Sequence, residues 1–221
     1  MYLHQDNLGN PIDLPVGKVV CVGRNYLDHI DEMRSAVPDE PLLFMKPKAA
    51  LCDMSQPLVI PLDKGECQNE LEVAVLLKHP LCKADQEEAI KAIWGVGLAL
   101  DFTLRELQRD LKEKGLPWER CKSFDFSCPV SGFVPASQIA DLQDLTFSLT
   151  VNGQQRQSGH TALMLHKVAD LLSHMSQVFT LDAGDIIITG TPKGVEALKP
   201  GDELTAALDG HVSVSTTVAG K

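Results

Sequence analysis

Asn69-Glu70-Leu71-Glu72-Val73-Ala74-Val75-Leu76-Leu77 alternates polar and apolar residues and then becomes an unbroken apolar run. A period of two is the period of a strand, so Glu70 and Glu72 share one face with Leu71 and Val73 buried behind them. A lone Glu-x-Glu is ordinarily the wet face of an amphipathic strand, because charged side chains are mostly exposed. Here the strand runs into apolar sequence and the neighbouring segments supply a use for the pair. Two adjacent carboxylates inside a fold repel each other and are costly unless a cation neutralises them. Asp101 follows a second apolar stretch, Trp94-Gly95-Val96-Gly97-Leu98-Ala99-Leu100, and is expected to be delivered into the interior as well. Three oxygen ligands with no soft ligand among them favour Mg²⁺ or Mn²⁺, with positions left over for water and substrate.

Outward from that strand, short apolar segments dominate. Lys18–Val22, Leu42–Met45, Leu58–Ile60 and Asp185–Thr189 read as strands. Asn152-Gly153 and Asp209-Gly210 each sit between strand-like runs and predict hairpins. Helical composition appears over Asp28–Ser35, over Ala84–Ile93 with Asp85 as its cap, over Thr103–Lys114 up to the Gly115-Leu116-Pro117 stop, and over Thr161–Gln177. Strands and helices do not alternate regularly, so the expected fold is α+β with a β-rich core. No repeat, low-complexity tract or interdomain linker breaks the chain. A short N-terminal segment over 1–16 and one domain over 17–221 is the simplest division.

The 221 residues are 44% hydrophobic and 23% charged, ordinary for a chain with a large core. A formal charge of −10 argues against nucleic acid and anionic membranes as partners. A small anion is still admissible, because local Arg and Lys override the global field. Six cysteines form no C-x-x-C pair and several lie in apolar runs, as reduced buried thiols do. The start, Met-Tyr-Leu-His-Gln-Asp, lacks a basic region followed by an apolar one. The cytoplasm is the expected compartment.

Further residues could carry chemistry. Asp101, Arg105 and Gln108 are spaced i, i+4 and i+7, and share one face if a helix begins near Asp101. An Arg there offers a fork-shaped donor to a substrate carboxylate, where the bland reading is an intrahelical ion pair. His29 and Glu32, at i and i+3, could form a dyad in which the carboxylate fixes the imidazole tautomer and frees the other nitrogen as a base. A surface His and Glu is the commoner arrangement. Lys46 and Lys122 follow apolar or aromatic neighbours and are expected to point inward, where each needs an anion, for which a bound substrate would serve. Gly190-Thr191-Pro192-Lys193-Gly194 follows a strand and resembles an anion-holding loop, though it is not a P-loop.

Six segments, in order over roughly residues 17 to 218, together resemble the fumarylacetoacetate hydrolase superfamily, especially its short single-domain acylpyruvate (fumarylpyruvate) hydrolase branch. They are Gly23-Arg24-Asn25-Tyr26-x-x-His29-x-x-Glu32, Phe44-x-Lys46-Pro47, Glu70-x-Glu72, Asp101-x-x-x-Arg105-x-x-Gln108, Gly115-Leu116-Pro117-Trp118 with Lys122-Ser123-Phe124, and Thr189-Gly190-Thr191-Pro192-x-Gly194-Val195. The resemblance implies mixed, rolled β-sheets, a homodimer, and Mg²⁺ or Mn²⁺ held by Glu70, Glu72 and Asp101. It implies His29 and Glu32 as a base dyad on a lid and Lys122 as a third catalytic group. Arg24, Asn25, Tyr26, Lys46, Arg105, Gln108, Gly190 and Thr191 would bind substrate. Asn69, Ser158-Gly159-His160-Thr161 and Lys193 depart from the family pattern and bear on substrate identity alone.

The activity so implied is metal-dependent cleavage of a C–C bond in a small anionic 2,4-dioxo acid, giving pyruvate and a carboxylic acid. Decarboxylation or keto–enol tautomerisation of oxaloacetate would use the same platform, because each reaction passes through an enolate. A binding protein for oxo acids without turnover would have no use for His29 and Glu32.

Overall fold

The computed structural model of the chain describes residues 2–221. Its centre is a mixed sheet that runs, edge to edge, through β2 (Leu42–Lys46), β1 (Val19–Gly23), β13 (Ile186–Ile188), β6 (Leu71–Leu77), β7 (Ile93–Leu100), β9 (Cys128–Val130) and β3 (Leu51–Asp53). β10 (Val134–Pro135) pairs with β7 as well. A second sheet is ordered β12 (Gln154–His160), β11 (Thr146–Val151), β14 (Glu203–Leu208), β15 (Val212–Gly220) and β4 (Leu58–Ile60). β5 (Cys67–Gln68) and β8 (Thr103–Leu104) form a small ladder of their own. The fold is α+β, β-rich and built on mixed sheets, as the sequence predicts.

β6 is the middle of the molecule and every residue in it is buried. Its alternation serves two cores. Leu71, Val73, Val75 and Leu77 join Phe147, Leu149, Leu204, Leu171 and Met175 between the two sheets. Ala74 and Leu76 face the other way, with Val19, Cys21, Ile186, Ile188 and Phe133. Glu72 continues this second face, and the apolar packing stops where the carboxylates begin. The segment over 1–16 closes the far side of that core. Tyr2, Ile12, Leu14 and Val16 pack against it, and His4 Nε2 lies 3.1 Å from the Pro15 carbonyl and 3.0 Å from that of Gly184. Met1 of that segment lies outside the described residues.

The helices are shorter than composition predicts. α1 is Leu27–Glu32. α2 is Gln86–Lys91, started by Asp85 and Glu88 in a reciprocal capping box, and it ends early because Ile93 enters β7. α3 is Arg105–Glu113, not a helix from Thr103, because Thr103 and Leu104 pair with Gln68 and Cys67. Asp101 is therefore off the helix. α4 is Glu119–Lys122. α5 is Val168–Val178, so Leu165 of the expected stripe precedes it. Among the described residues no helix is long and apolar enough to cross a membrane.

Candidate active site

The antiparallel register of β6 and β7 pairs Leu71 with Leu100 and Glu72 with Ala99. One step further, the Asp101 backbone N–H donates to the Glu70 carbonyl oxygen at 2.8 Å. Glu70 and Asp101 thus face each other across the ladder, and Glu72 stands two residues along on the same side. One carboxylate oxygen from each of the three lies within 4.8 Å of the others, and all three residues are buried. Burial and the neighbouring charges of Asp101 and Glu70 push the Glu72 carboxyl well above the usual range. Burial also opposes ionisation of Glu70, but Lys122 and Arg105 outweigh it and hold that carboxyl below the usual range. A divalent cation fits this donor set: oxygen ligands only, with repulsion among them that a cation would relieve.

Three buried cations stand around the carboxylates. Lys122 Nζ lies 2.7 Å from Glu70 Oε2 and 2.5 Å from Asp101 Oδ2. Burial works against its charge, but Asp101 and Glu70 overcome this and raise its pKa. Its ammonium also lies 5.2 Å from the centre of the Phe44 ring, a cation–π distance. Arg105 donates from Nη2 to Glu70 Oε1, from Nη1 to Gln108 Oε1 at 2.6 Å and from Nε to Gln68 Oε1 at 2.7 Å. Lys46 is wholly buried at the end of β2, 2.8 Å from Asp101 Oδ1, and donates to the Ser127 carbonyl at 3.0 Å. The anions that balance Lys46 and Lys122 are thus the site's own carboxylates, where the sequence admitted a substrate.

α1 carries the dyad across the cavity from this cluster. His29 Nδ1 lies 3.1 Å from Glu32 Oε2, and the other Glu32 oxygen accepts the Gly194 backbone N–H at 2.9 Å. One carboxylate therefore ties the imidazole to the Gly190–Gly194 loop. That loop needs its glycines. Gly190 has φ +93° and its N–H donates to Glu72 Oε2 at 2.6 Å; Gly194 has φ +98°, and a Cβ there would come within 1.9 Å of the Arg156 carbonyl oxygen. Between them Thr191 Oγ1 donates to the Leu71 carbonyl at 2.8 Å.

A cavity of about 50 Å³ joins these parts. Its walls hold Glu70, Glu72 and Asp101, the predicted His29, Lys122, Arg24, Arg105, Gln108 and Thr191, and also Phe44 and Trp118. Five other predicted residues lie outside that lining. Glu32 and Lys46 stand behind His29 and Asp101, and Gly190 reaches Glu72 through its backbone. Asn25 is fully buried and clamps two segments: its Nδ2 donates to Thr189 O at 2.8 Å and His166 O at 3.1 Å, and its Oδ1 accepts from His166 N at 2.7 Å. Tyr26 packs edge-on against Phe147, 6.3 Å between ring centres.

Sequence reasoning missed Gln157. Gln154 to Gln157 reads as one arm of the Asn152-Gly153 hairpin, with nothing local to mark Gln157 as buried. In the fold Gln157 is fully buried; its Oε1 accepts from Asn69 Nδ2 and Leu71 N, and its Nε2 donates to Thr191 Oγ1 and the Pro192 carbonyl. It joins the strand that bears the carboxylates to the loop that bears Thr191. Lys112, Met33 and Ser35 also line the cavity without having been singled out. Lys112 extends the Arg105, Gln108 spacing by one turn, a signal that was available.

The fumarylacetoacetate (FAA) hydrolase C-terminal family matches residues 18–219 of the chain. Oxaloacetate tautomerase YcgM of Escherichia coli is 55% identical over 219 residues, 99% of this chain and 100% of that protein. The mitochondrial oxaloacetate tautomerase FAHD1 of Homo sapiens is 44% identical over 200 residues, 90% of each chain. The crystal structure of fumarylpyruvate hydrolase from Pseudomonas aeruginosa, in complex with Mn²⁺ and pyruvate, superimposes with a TM-score of 0.93 at 34% identity, over 100% of this chain and 96% of that one. The chain belongs to the fumarylacetoacetate hydrolase superfamily and is an enzyme of that superfamily, with a buried acidic trio suited to a divalent metal.

Proposed function

We propose that this protein interconverts the keto and enol forms of oxaloacetate. The observation that carries the reading is that His29 lines the same small cavity as the three carboxylates while Glu32 holds its Nδ1. Moving one proton between C3 and the oxygen on C2 needs a base, an enolate stabiliser and no more. The names of the two tautomerase relatives favour this reaction over the C–C hydrolysis that the sequence suggested first.

Glu70, Glu72 and Asp101 would hold Mg²⁺ or Mn²⁺, which when bound supplies Lewis acidity that favours the enolate over the ketone. His29, donating from Nδ1 to Glu32, would keep Nε2 free to take the proton from C3 and pass it to the C2 oxygen, and in the reverse direction to take it from that oxygen and return it to C3. Lys122, kept charged by Glu70 and Asp101, offers a hydrogen-bond donor to the developing oxyanion. Arg105 and Gln108, which both line the cavity, would hold the substrate's first carboxylate. Phe44 and Trp118, with ring centres 5.9 Å apart, give the cavity an apolar wall that would help to exclude water. With every group ionised, three carboxylates balance Lys46, Arg105 and Lys122. A divalent ion would add its two positive charges to those of Arg24 and Lys112 in the lining, an excess that an anionic substrate would reduce.

The second reading is hydrolysis of acylpyruvates, favoured by the likeness to the fumarylpyruvate hydrolase. Decarboxylation of oxaloacetate stays on the same platform. The experiment follows enol-oxaloacetate absorbance with Mg²⁺ or with chelator, and pyruvate and CO₂ release separately; acetylpyruvate is run in parallel. Metal-dependent loss of the enol without pyruvate supports the tautomerase, and cleavage of acetylpyruvate at a comparable rate would replace it with the hydrolase. The proposal includes one catalytic domain over 17–221, assembled as a homodimer in the cytoplasm; light scattering after size exclusion tests the dimer.

A further inference from the structure

We propose that Lys112 and Arg24 form a second carboxylate subsite at the open end of the cavity, one that takes the distal carboxylate of a 2-oxo dicarboxylate. The proposal rests on reading the site as one for oxo acids and adds what selects among them.

Both cations line the same cavity as the acidic trio. They differ from the buried cations around the acidic trio in having no anion. Arg105 and Lys122 are paired with Glu70, and Lys46 with Asp101. Neither Arg24 nor Lys112 forms an ion pair among the described residues; Arg24 donates only from Nη1 to the Ala36 carbonyl at 3.3 Å. Like charges gathered at one opening without a counter-ion are a standing attraction for an anion.

The fold sets their depth. Arg105, Gln108 and Lys112 follow one another at i, i+3 and i+7 along one face of α3. Lys112 is thus about 10 Å further along the axis than Arg105 at 1.5 Å per residue. Arg105 and Gln108 are buried and Lys112 is exposed, so the inner end of this face meets the carboxylates and the outer end meets solvent. Helical side chains lean toward the N-terminus, which carries the ammonium back toward the cavity. Arg24 enters from the other wall, just past β1, with φ +59°. A non-glycine residue in that left-handed region is uncommon, and here it ends the strand at the cavity. Burial first, then the charges of Arg24 and Arg105, lower the Lys112 pKa, as expected of cations that share one opening. A substrate held by its 2-oxo carboxylate at the inner end directs a carboxylate on C4 outward between these two.

The test is calorimetric binding, in saturating Mg²⁺, of 3,3-difluoro-oxaloacetate and of pyruvate. The first has the distal carboxylate and cannot enolise; the second has no distal carboxylate. The wild type is expected to prefer the dicarboxylate by about 10- to 100-fold, the worth of one or two charge-assisted contacts. Lys112→Gln, at an exposed position, should remove most of that preference by weakening difluoro-oxaloacetate while pyruvate stays within about twofold, and Lys112→Arg should restore it. Equal affinities in the wild type, no change in Lys112→Gln, or equal weakening of both ligands would each overturn the subsite. Retained selectivity in a protein that fails to ketonise enol-oxaloacetate would uphold the subsite and sink the tautomerase reading instead.

Discussion

Asp101 N–H donates to the Glu70 carbonyl oxygen at 2.8 Å, and this one backbone bond extends the β6–β7 register far enough to set two carboxylates opposite each other. Everything attributed to the metal depends on that register. Glu72→Gln and Asp101→Asn should each weaken Mg²⁺ and Mn²⁺ binding by at least the order of 10²-fold, since even outer partners of a metal site cost 10–100-fold. Calorimetric titration of metal into the two variants measures this. Full-strength binding by Glu72→Gln would remove it from the ligand set.

The dyad should separate chemistry from metal binding. His29→Ala is expected to lower turnover on the order of 10²–10⁴-fold while Mn²⁺ affinity stays within about twofold. Glu32→Gln should lower it less, because the imidazole remains and only its tautomer is freed. Glu32 also accepts the Gly194 N–H, so this variant should loosen the loop, seen as faster amide exchange at Gly194. Unchanged turnover in His29→Ala would leave the base unassigned.

Metal-induced stabilisation should grow with pH. In the metal-free protein Glu72 has a folded-state pKa raised by burial and by Asp101 and Glu70. A raised pKa favours the fold at low pH, and this contribution is lost as pH rises through the folded value. Ligation requires the ionised form, so a proton competes with the metal below that value. The rise in Tm on adding saturating Mg²⁺ is therefore expected to be larger at about pH 8 than at about pH 6. Glu70, whose pKa is depressed, works the opposite way and loses its contribution only in acid. A Tm rise independent of pH over this window would count against Glu72 as a protonated carboxyl in the metal-free state.

Gln157 should matter for both stability and turnover although it lies outside the cavity lining. Gln157→Leu strips partners from Asn69, the Leu71 N–H and Thr191 at once. A buried polar group left unpaired costs about 1–3 kcal/mol, to be read from urea denaturation. Turnover should fall as well, because Thr191 loses one of its two anchors. Asn25→Ala, by contrast, should lower stability through the lost His166 and Thr189 bonds with KM within about twofold. A large rise in KM for Asn25→Ala would restore it to the substrate-binding set.

The sequence by itself determined the β-rich class, the strand of Glu70 and Glu72, both hairpins and most of the residues that meet in the cavity. Those features are written in local pattern: a period of two, Asn-Gly and Asp-Gly turns, and short motifs at fixed spacing. Tertiary structure decided what depends on partners distant in the chain. Thr103 and Leu104 left the helix because Gln68 and Cys67 offered them a ladder. Lys46 and Lys122 were legible as buried, but that their anions are Asp101 and Glu70 followed only from the sheet that carries them there. Asn25, a motif residue, clamps two backbone segments, and Gln157, legible only as part of a hairpin strand, is a buried link. An amide donates and accepts equally well to solvent, substrate or backbone, so its type does not reveal its partner, and only the folded chain brings that partner within reach.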